Sequence, residues 1–265
     1  MRKALLLLVF AVAASAQTPV VNPGGVVNAA SFATGQVVTP GSIVAIFGSE
    51  LAAGLAYGDS VPLSNTLAGV SVSFNDIPAP ILLLSQGEIR VQLPWNLLAE
   101  SGGAGTANVI VRRGGVASAA QQVQVGPFSP GIFSSQLGMG QAMAFNPDGS
   151  LAAPAGSNPG IATHPTMSGG AITILATGLG AVDSAIPTGQ PSFDAIRKTL
   201  TTPVVLVGGK EAQVLVSELS ALFVGFNQIL AVIPDGVAPG DTVPLQIRIG
   251  GITTTDQVTI AVSAP

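Results

Sequence analysis

Residues 170–178 read GAITILATG and are followed by PVVLVGGKEA at 203–212, NQILAVIP at 227–234 and PLQIRIGG at 244–251. The first half of the chain carries matching blocks in the same order: GSIVAIFG at 41–48, GVSVSFNDIPA at 69–79, EIRVQLP at 88–94 and ANVIVRRGG at 107–115. Each is a short apolar run rich in Val and Ile, bounded by Gly, Pro, Asn or Asp, which reads as strand rather than helix. Several alternate apolar and polar residues, so one face packs inward while the other meets water. A single β-rich match between halves arises by chance. Four in order, each with its own turn residues, predict a duplicated all-strand unit.

The turns sharpen this reading. Gly114-Gly115, Gly208-Gly209 and Gly250-Gly251 lie between alternating runs and predict two-residue hairpin turns with positive φ, and Asn75-Asp76 stands where the second half has Gly208-Gly209. Pro94 and Pro234 each close a strand, because Pro cannot donate to a ladder. The pattern predicts an all-β chain of two tandem immunoglobulin-like antiparallel β-sandwiches, over residues 17–126 and 167–265. Residues 127–166 form a Gly/Pro-rich connector in which Asn146-Pro147-Asp148-Gly149 signals a hairpin bracing the sandwiches, with looser chain over 153–166. Short helices are expected only at residues 96–100 and 193–200.

The first sixteen residues, MRKALLLLVFAVAASA, have a basic start, an apolar centre and a small-residue site, which predicts a signal peptide cleaved after Ala16. The apolar stretch is short of the roughly 20 residues that span a bilayer, and no later run reaches that length uninterrupted. The expected location is secreted, extracellular or periplasmic.

Composition narrows the chemistry. Only 8% of the 265 residues are charged, against roughly a quarter in an average soluble domain. With no Cys and one His, the chain has no disulfide framework, no thiolate zinc site and no pair of His ligands. Nine basic against thirteen acidic residues argue against a nucleic-acid partner. No cofactor is expected.

Few residues bear catalytic chemistry. His164 lies in a Gly/Pro-rich stretch without a Gly-x-Ser-x-Gly elbow, so it reads as structural rather than as a triad base. The carboxylates nearest in sequence, Glu50 with Asp59 and Glu211 with Glu218, have no spacing that compels a shared cleft. Gly138-Met139-Gly140 and Gly178-Leu179-Gly180 lack the strand-turn-helix setting of a dinucleotide fingerprint. Asp183, Asp235 and Asp241 are turn residues without the close acidic spacing of a calcium loop. Trp95, the only Trp, has two readings: packing in the core or between domains, or a sugar-stacking platform on a sandwich edge. Phe223 and Phe226 read as packing residues.

Several stretches together are similar to a family of exported bacterial proteins abundant in Solibacter-type acidobacteria, catalogued as a C-terminal domain of uncharacterised function. They are Val27-Asn28-Ala29-Ala30-Ser31-Phe32, Pro40-Gly41-Ser42-Ile43-Val44, Gln92-Leu93-Pro94, Ser129-Pro130-Gly131-Ile132-Phe133, Asp148-Gly149-Ser150, Ala176-Thr177-Gly178-Leu179-Gly180, and the Gly69-Val70-Ser71-Val72 and Gly250-Gly251 segments. The individual repeats also resemble IPT/TIG immunoglobulin-like modules. The resemblance implies a secreted or surface location and paired β-sandwiches, and it supplies no catalytic residues. The chain departs from it at Glu88-Ile89-Arg90, where members often carry a more neutral strand start. Composition and resemblance together point to a non-enzymatic surface module for protein interaction, adhesion or scaffolding. The alternatives are a carbohydrate-binding module that uses Trp95 and, more weakly, an extracellular hydrolase. The expected partners are other surface proteins or extracellular polysaccharide.

Overall fold

The computed structural model of the chain describes residues 17–255 and 257–264. The expected signal peptide, residues 1–16, lies outside the described residues. The chain is all-β, as the strand blocks predict: two tandem immunoglobulin-like sandwiches, largely antiparallel, with one 3₁₀ turn at Ala99–Ser101 as the only helical element among the described residues.

In the first sandwich, β1 (Val20–Asn28), β2 (Ile43–Ser49), β5 (Ile81–Leu84) and β6 (Glu88–Gln92) form one sheet in the order β1-β2-β6-β5. The facing sheet pairs β7 (Gly105–Arg113) with β3 (Val70–Phe74) and β8 (Gln121–Val125), and pairs β3 with β4 (Ile77–Ala79). Alternation decides which side chains go in. Val70, Val72 and Phe74 of β3 are buried, while Ser71 and Ser73 between them are only half-buried. They join Ile46, Ile89, Val91, Val109 and Val111 in a core between the sheets.

The second sandwich repeats these pairings. Its strands are β9 (Ala144–Phe145), β10 (Ala171–Thr177), β11 (Val204–Val207), β12 (Lys210–Leu219), β13 (Asn227–Val232), β14 (Gly240–Ile249) and β15 (Val258–Ser263). They run in the order β9-β10-β13-β12-β11-β14-β15 around a separate core that includes Ile172, Ile174, Val205, Ile229 and Ile247. One difference has a local cause. Strand β12 runs on from one sheet to the other, Ala212 pairing with Val205 and the next residue, Gln213, with Val232, whereas Pro80 separates β4 from β5. Pro80 has no N–H for the ladder, so the chain there divides into two strands.

The hairpin turns have the backbone their residues predict. Gly208 and Gly209 have φ of 56° and 79°, and Asn75 and Asp76 reproduce that turn at 46° and 63°. Pro94 and Pro234 do close their strands: the last donors before them, Leu93 and Ile233, bond to the Ser42 and Gly170 carbonyls.

Four expectations change. At residues 96–100 only the Ala99–Ser101 turn forms. Residues 193–200 are not helical. Their backbone lies along β12, with the Leu219 N–H donating to the Arg197 carbonyl at 2.9 Å and the Thr199 N–H to the Ser217 carbonyl at 3.0 Å. Sheet-edge donors claim the backbone that a helix would have used. The connector hairpin belongs to the second sandwich, since Ala144 and Phe145 pair with Ile174 and Thr173 and Gly131 pairs with Thr177. Nor is residues 153–166 simply loose chain: Thr163–His164 and Thr166–Met167 pair in parallel with Leu151–Ala152 and β15.

Candidate functional site at the seam of the sandwiches

Residues 27–32, 40–44, 92–94, 129–133 and 176–180 converge where the two sandwiches meet. Asn28, buried at the end of β1, donates from Nδ2 to the Ser129 carbonyl at 2.6 Å, and its Oδ1 accepts the Ala30 and Ser31 N–H groups at 2.7 and 3.1 Å. The Ile43 N–H donates to Thr177 Oγ1 at 3.0 Å, and the Thr177 hydroxyl donates to the Gly225 carbonyl at 2.7 Å. Gln92 spans the seam in the same way, accepting the Gly189 N–H at 2.6 Å and donating to the Gly41 carbonyl at 3.1 Å. A Cβ on Gly178 would collide with the Ser129 carbonyl, and φ there is +81°, so this crossing requires glycine.

An aromatic layer surrounds these bonds. Val27, Ala29, Ile43 and Ala45, on the outer face of β1 and β2, form a third buried cluster with Phe32, Phe47, Leu82, Phe133 and Phe226. Phe133 of the connector and Phe226 of the second sandwich stack 4.0 Å apart at 11°, and Phe223 tilts against Phe226 at 5.4 Å. Phe226 is a packing residue, as expected, whereas Phe223 is 47% exposed. Glu88-Ile89-Arg90 has a role here: Glu88 Oε1 holds Arg90 Nε at 2.6 Å, and the guanidinium lies 5.4 Å from the Phe32 ring centroid.

At one end of the seam lies a cleft of about 340 Å³, bounded by Pro40, Trp95 and Leu97 of the first sandwich, Pro127 and Phe128 of the connector, and Ala181 and Leu200 of the second sandwich. Trp95 is half-buried. Its backbone N–H donates to Thr188 Oγ1 at 3.2 Å, and its benzo ring lies so close to Gly41 that a Cβ there would fall inside it. Trp95 thus sits between the sandwiches and on the wall of the cleft. Its Nε1 and the Thr39 hydroxyl oxygen, both in residues lining this cleft, are buried without a hydrogen-bond partner.

The remaining candidates lie elsewhere. His164 has a carboxylate partner that sequence reading missed: Nε2 is 3.0 Å from Asp148 Oδ2, and Nδ1 is 2.9 Å from the Pro165 carbonyl. The Ser150 hydroxyl donates to Asp148 at 2.6 Å, not to the ring, so the three residues do not form a nucleophile-base relay. The Pro165 carbonyl, then the Asp148 carboxylate, raise the His164 pKa, and the Ser150 hydroxyl and N–H, with His164, hold Asp148 well below the usual carboxylate range. Glu50 pairs with Arg113 at 2.9 Å and Glu211 with Arg248 at 2.7 Å. Among the described residues, no group of three His, Asp or Glu side chains is placed to hold a metal, and Asp183, Asp235 and Asp241 do not meet. No helix among them is long and apolar enough to cross a membrane.

The second sandwich also has an apolar surface that periodicity does not reveal. Phe193, Ile196 and Leu200 on the 193–200 loop are 67%, 70% and 66% exposed, and Leu222 on the loop after β12 is 75% exposed. The Ser192 N–H donates to the Ser220 carbonyl at 2.9 Å, which joins the two loops. Buried Arg197 ties down the first loop from beneath, donating to both Asp194 oxygens at 2.7 and 3.1 Å and to the Ala185 carbonyl at 3.0 Å.

No family model and no curated protein matches the chain. Among solved structures it is similar to the Bacteroides ovatus mixed-linkage glucan utilization locus SGBP-B in complex with a mixed-linkage heptasaccharide, at 14% identity and a TM-score of 0.30 over 86% of this chain and 44% of that one. It is also similar to the I9–I11 tandem of titin, at 11% identity and a TM-score of 0.23 over 94% of this chain and 67% of that one. A third is surface layer protein SbsC, domains 4–9, at 13% identity and a TM-score of 0.25, covering 94% of this chain and 32% of that one. The chain thus spans less than half of the first of these proteins. Likeness at this level assigns neither ligand nor activity.

Proposed function

We propose that the chain is an exported, non-catalytic module of the Solibacter-type family, a duplicated sandwich unit that docks another surface protein. The observation that carries this reading is the apolar surface of Phe193, Ile196, Leu200 and Leu222. Singly scattered exposed apolar residues need no explanation, whereas four large ones on two hydrogen-bonded loops support an interaction site. The Arg197 anchor holds the loop in place before binding, which lowers the ordering cost of association. The low charge of the chain suits contacts through apolar and uncharged groups.

Site-specific photo-crosslinking on intact cells tests this. A photoreactive side chain at position 193 or 196 is expected to form an adduct with one discrete protein, and Leu222→Ser is expected to abolish it. A probe at exposed Gln122, on the other sandwich, should form no adduct. Equal labelling from all three positions, or none from any, contradicts the proposal.

A further inference from the structure

We infer that a groove between the connector and the last two strands of the second sandwich binds a neutral saccharide. It has a volume of about 590 Å³, within the range of small-molecule sites. Connector residues between 134 and 158 line it together with Thr242 of β14 and Thr259 of β15. It shares no residue with the docking surface or with the cleft beside Trp95.

The lining sets the ligand class. Eight of its eleven residues are Ser, Thr, Asn or Gln, and no charged or aromatic side chain of the described residues joins them. An ion would lose its hydration there without a counter-charge, and an apolar ligand would strand the polar groups. Ser134 Oγ accepts the Gly138 N–H, Gln141 Nε2 donates to the Asp241 carbonyl, and Thr259 Oγ1 donates to the Gly140 carbonyl. That leaves the side chains of Ser135, Gln136, Ser157, Asn158 and Thr242 without a hydrogen-bond partner among the described residues. Each of the five both donates and accepts. A sugar hydroxyl does the same, and a carboxamide, with its donor and acceptor side by side, meets two neighbouring hydroxyls at once. Met143 and Leu151 supply the apolar part of the lining, which suits the C–H face of a pyranose.

Backbone bonds set this lining in place before any ligand arrives. The Ser135 N–H donates to the Gln141 carbonyl at 2.9 Å, and Gln136 and Met139 exchange N–H···O bonds at 3.2 and 3.1 Å. Gly140 and Gln141 pair in parallel with Val258 and Thr259, and Gln141 Nε2 reaches the Asp241 carbonyl, beside Thr242, at 2.8 Å. Ser135 and Gln136 are therefore presented on a turn that needs no ordering on binding, which lowers the cost of association.

The side-chain amides of Gln136 and Asn158 give ¹H–¹⁵N signals that report on the groove, and the single Trp indole signal reports on the seam cleft. The probes are the β-1,4-linked trisaccharides of glucose, xylose, mannose and galactose. At least one is expected to shift both amide signals saturably while the indole signal stays in place. Trigalacturonate, of similar size but charged, should bind at least tenfold more weakly than that probe. Asn158→Ala and Thr242→Val should each weaken binding about tenfold, the loss of one hydrogen bond, with the backbone amide spectrum otherwise preserved. No saturable shift from any of the four probes overturns the inference. So does equal binding of trigalacturonate, unchanged affinity in both variants, or movement of the indole signal in place of the amides.

Discussion

Replacing Asn28 by Ala removes the most connected side chain of the seam. Its amide makes three hydrogen bonds, to the Ser129 carbonyl and from the Ala30 and Ser31 N–H groups. A hydrogen bond contributes about 1 kcal/mol net, so the three amount to about 3 kcal/mol. That is a shift of roughly 150-fold in the folding equilibrium. Asn28, Ala30 and Ser129 are buried, so water does not readily replace the lost partner. Urea denaturation followed by Trp95 emission and by far-ultraviolet circular dichroism measures the loss. Trp95 reports from the seam and circular dichroism from both sheets. The expected result is a lower midpoint by both probes with an unchanged m-value. A loss below about 0.5 kcal/mol, the level of an ordinary surface change, would refute the assignment of Asn28 as a seam bolt.

Other perturbations follow from the same geometry. Thr177→Val keeps the side-chain volume but removes the bonds to the Ile43 N–H and the Gly225 carbonyl, and should cost about 2 kcal/mol in the same assay. Gly41→Ala places a methyl in the Trp95 ring at a φ of +82°, so emission should shift markedly and stability should fall, and an unchanged spectrum would contradict the packing. The His164 pKa is raised above 6.5 in the folded chain, so its contribution to stability is present below 6.5 and lost as pH rises through the folded value. Asp148 acts in the opposite sense: its contribution is present above 3.8 and lost as pH falls through its lower folded value. The His164 ring protons should therefore titrate with a midpoint above 6.5, and Asp148→Asn should bring that midpoint down. A midpoint at or below 6.5 in the parent chain contradicts the pairing.

The strands and hairpins are legible in the sequence because their signals are local. Alternation in Val70–Phe74 and the Gly-Gly and Asn-Asp pairs act within a few residues of themselves. The seam is not legible, because its bonds join residues 101 apart at Asn28 and Ser129 and 134 apart at Ile43 and Thr177. The sequence shows that these motifs belong together, and only the fold shows that they touch. The pairing of His164 with Asp148 is hidden for the same reason, since it depends on the parallel bridge that sets Thr163–His164 beside Leu151–Ala152. The helix expected at 193–200 does not form because Arg197 and Thr199 bond to the distant strand β12, while the Asp194–Arg197 ion pair ties down the loop. Trp95 packs against Gly41 and also lines the cleft wall, contacts that its place in the sequence after Pro94 does not reveal.

The seam bonds should make the two sandwiches one cooperative body, and differential scanning calorimetry reads this out, since independently stable domains break two-state behaviour. A single transition whose calorimetric and van't Hoff enthalpies agree is expected; two resolved transitions in the unmodified protein would show that the sandwiches unfold independently.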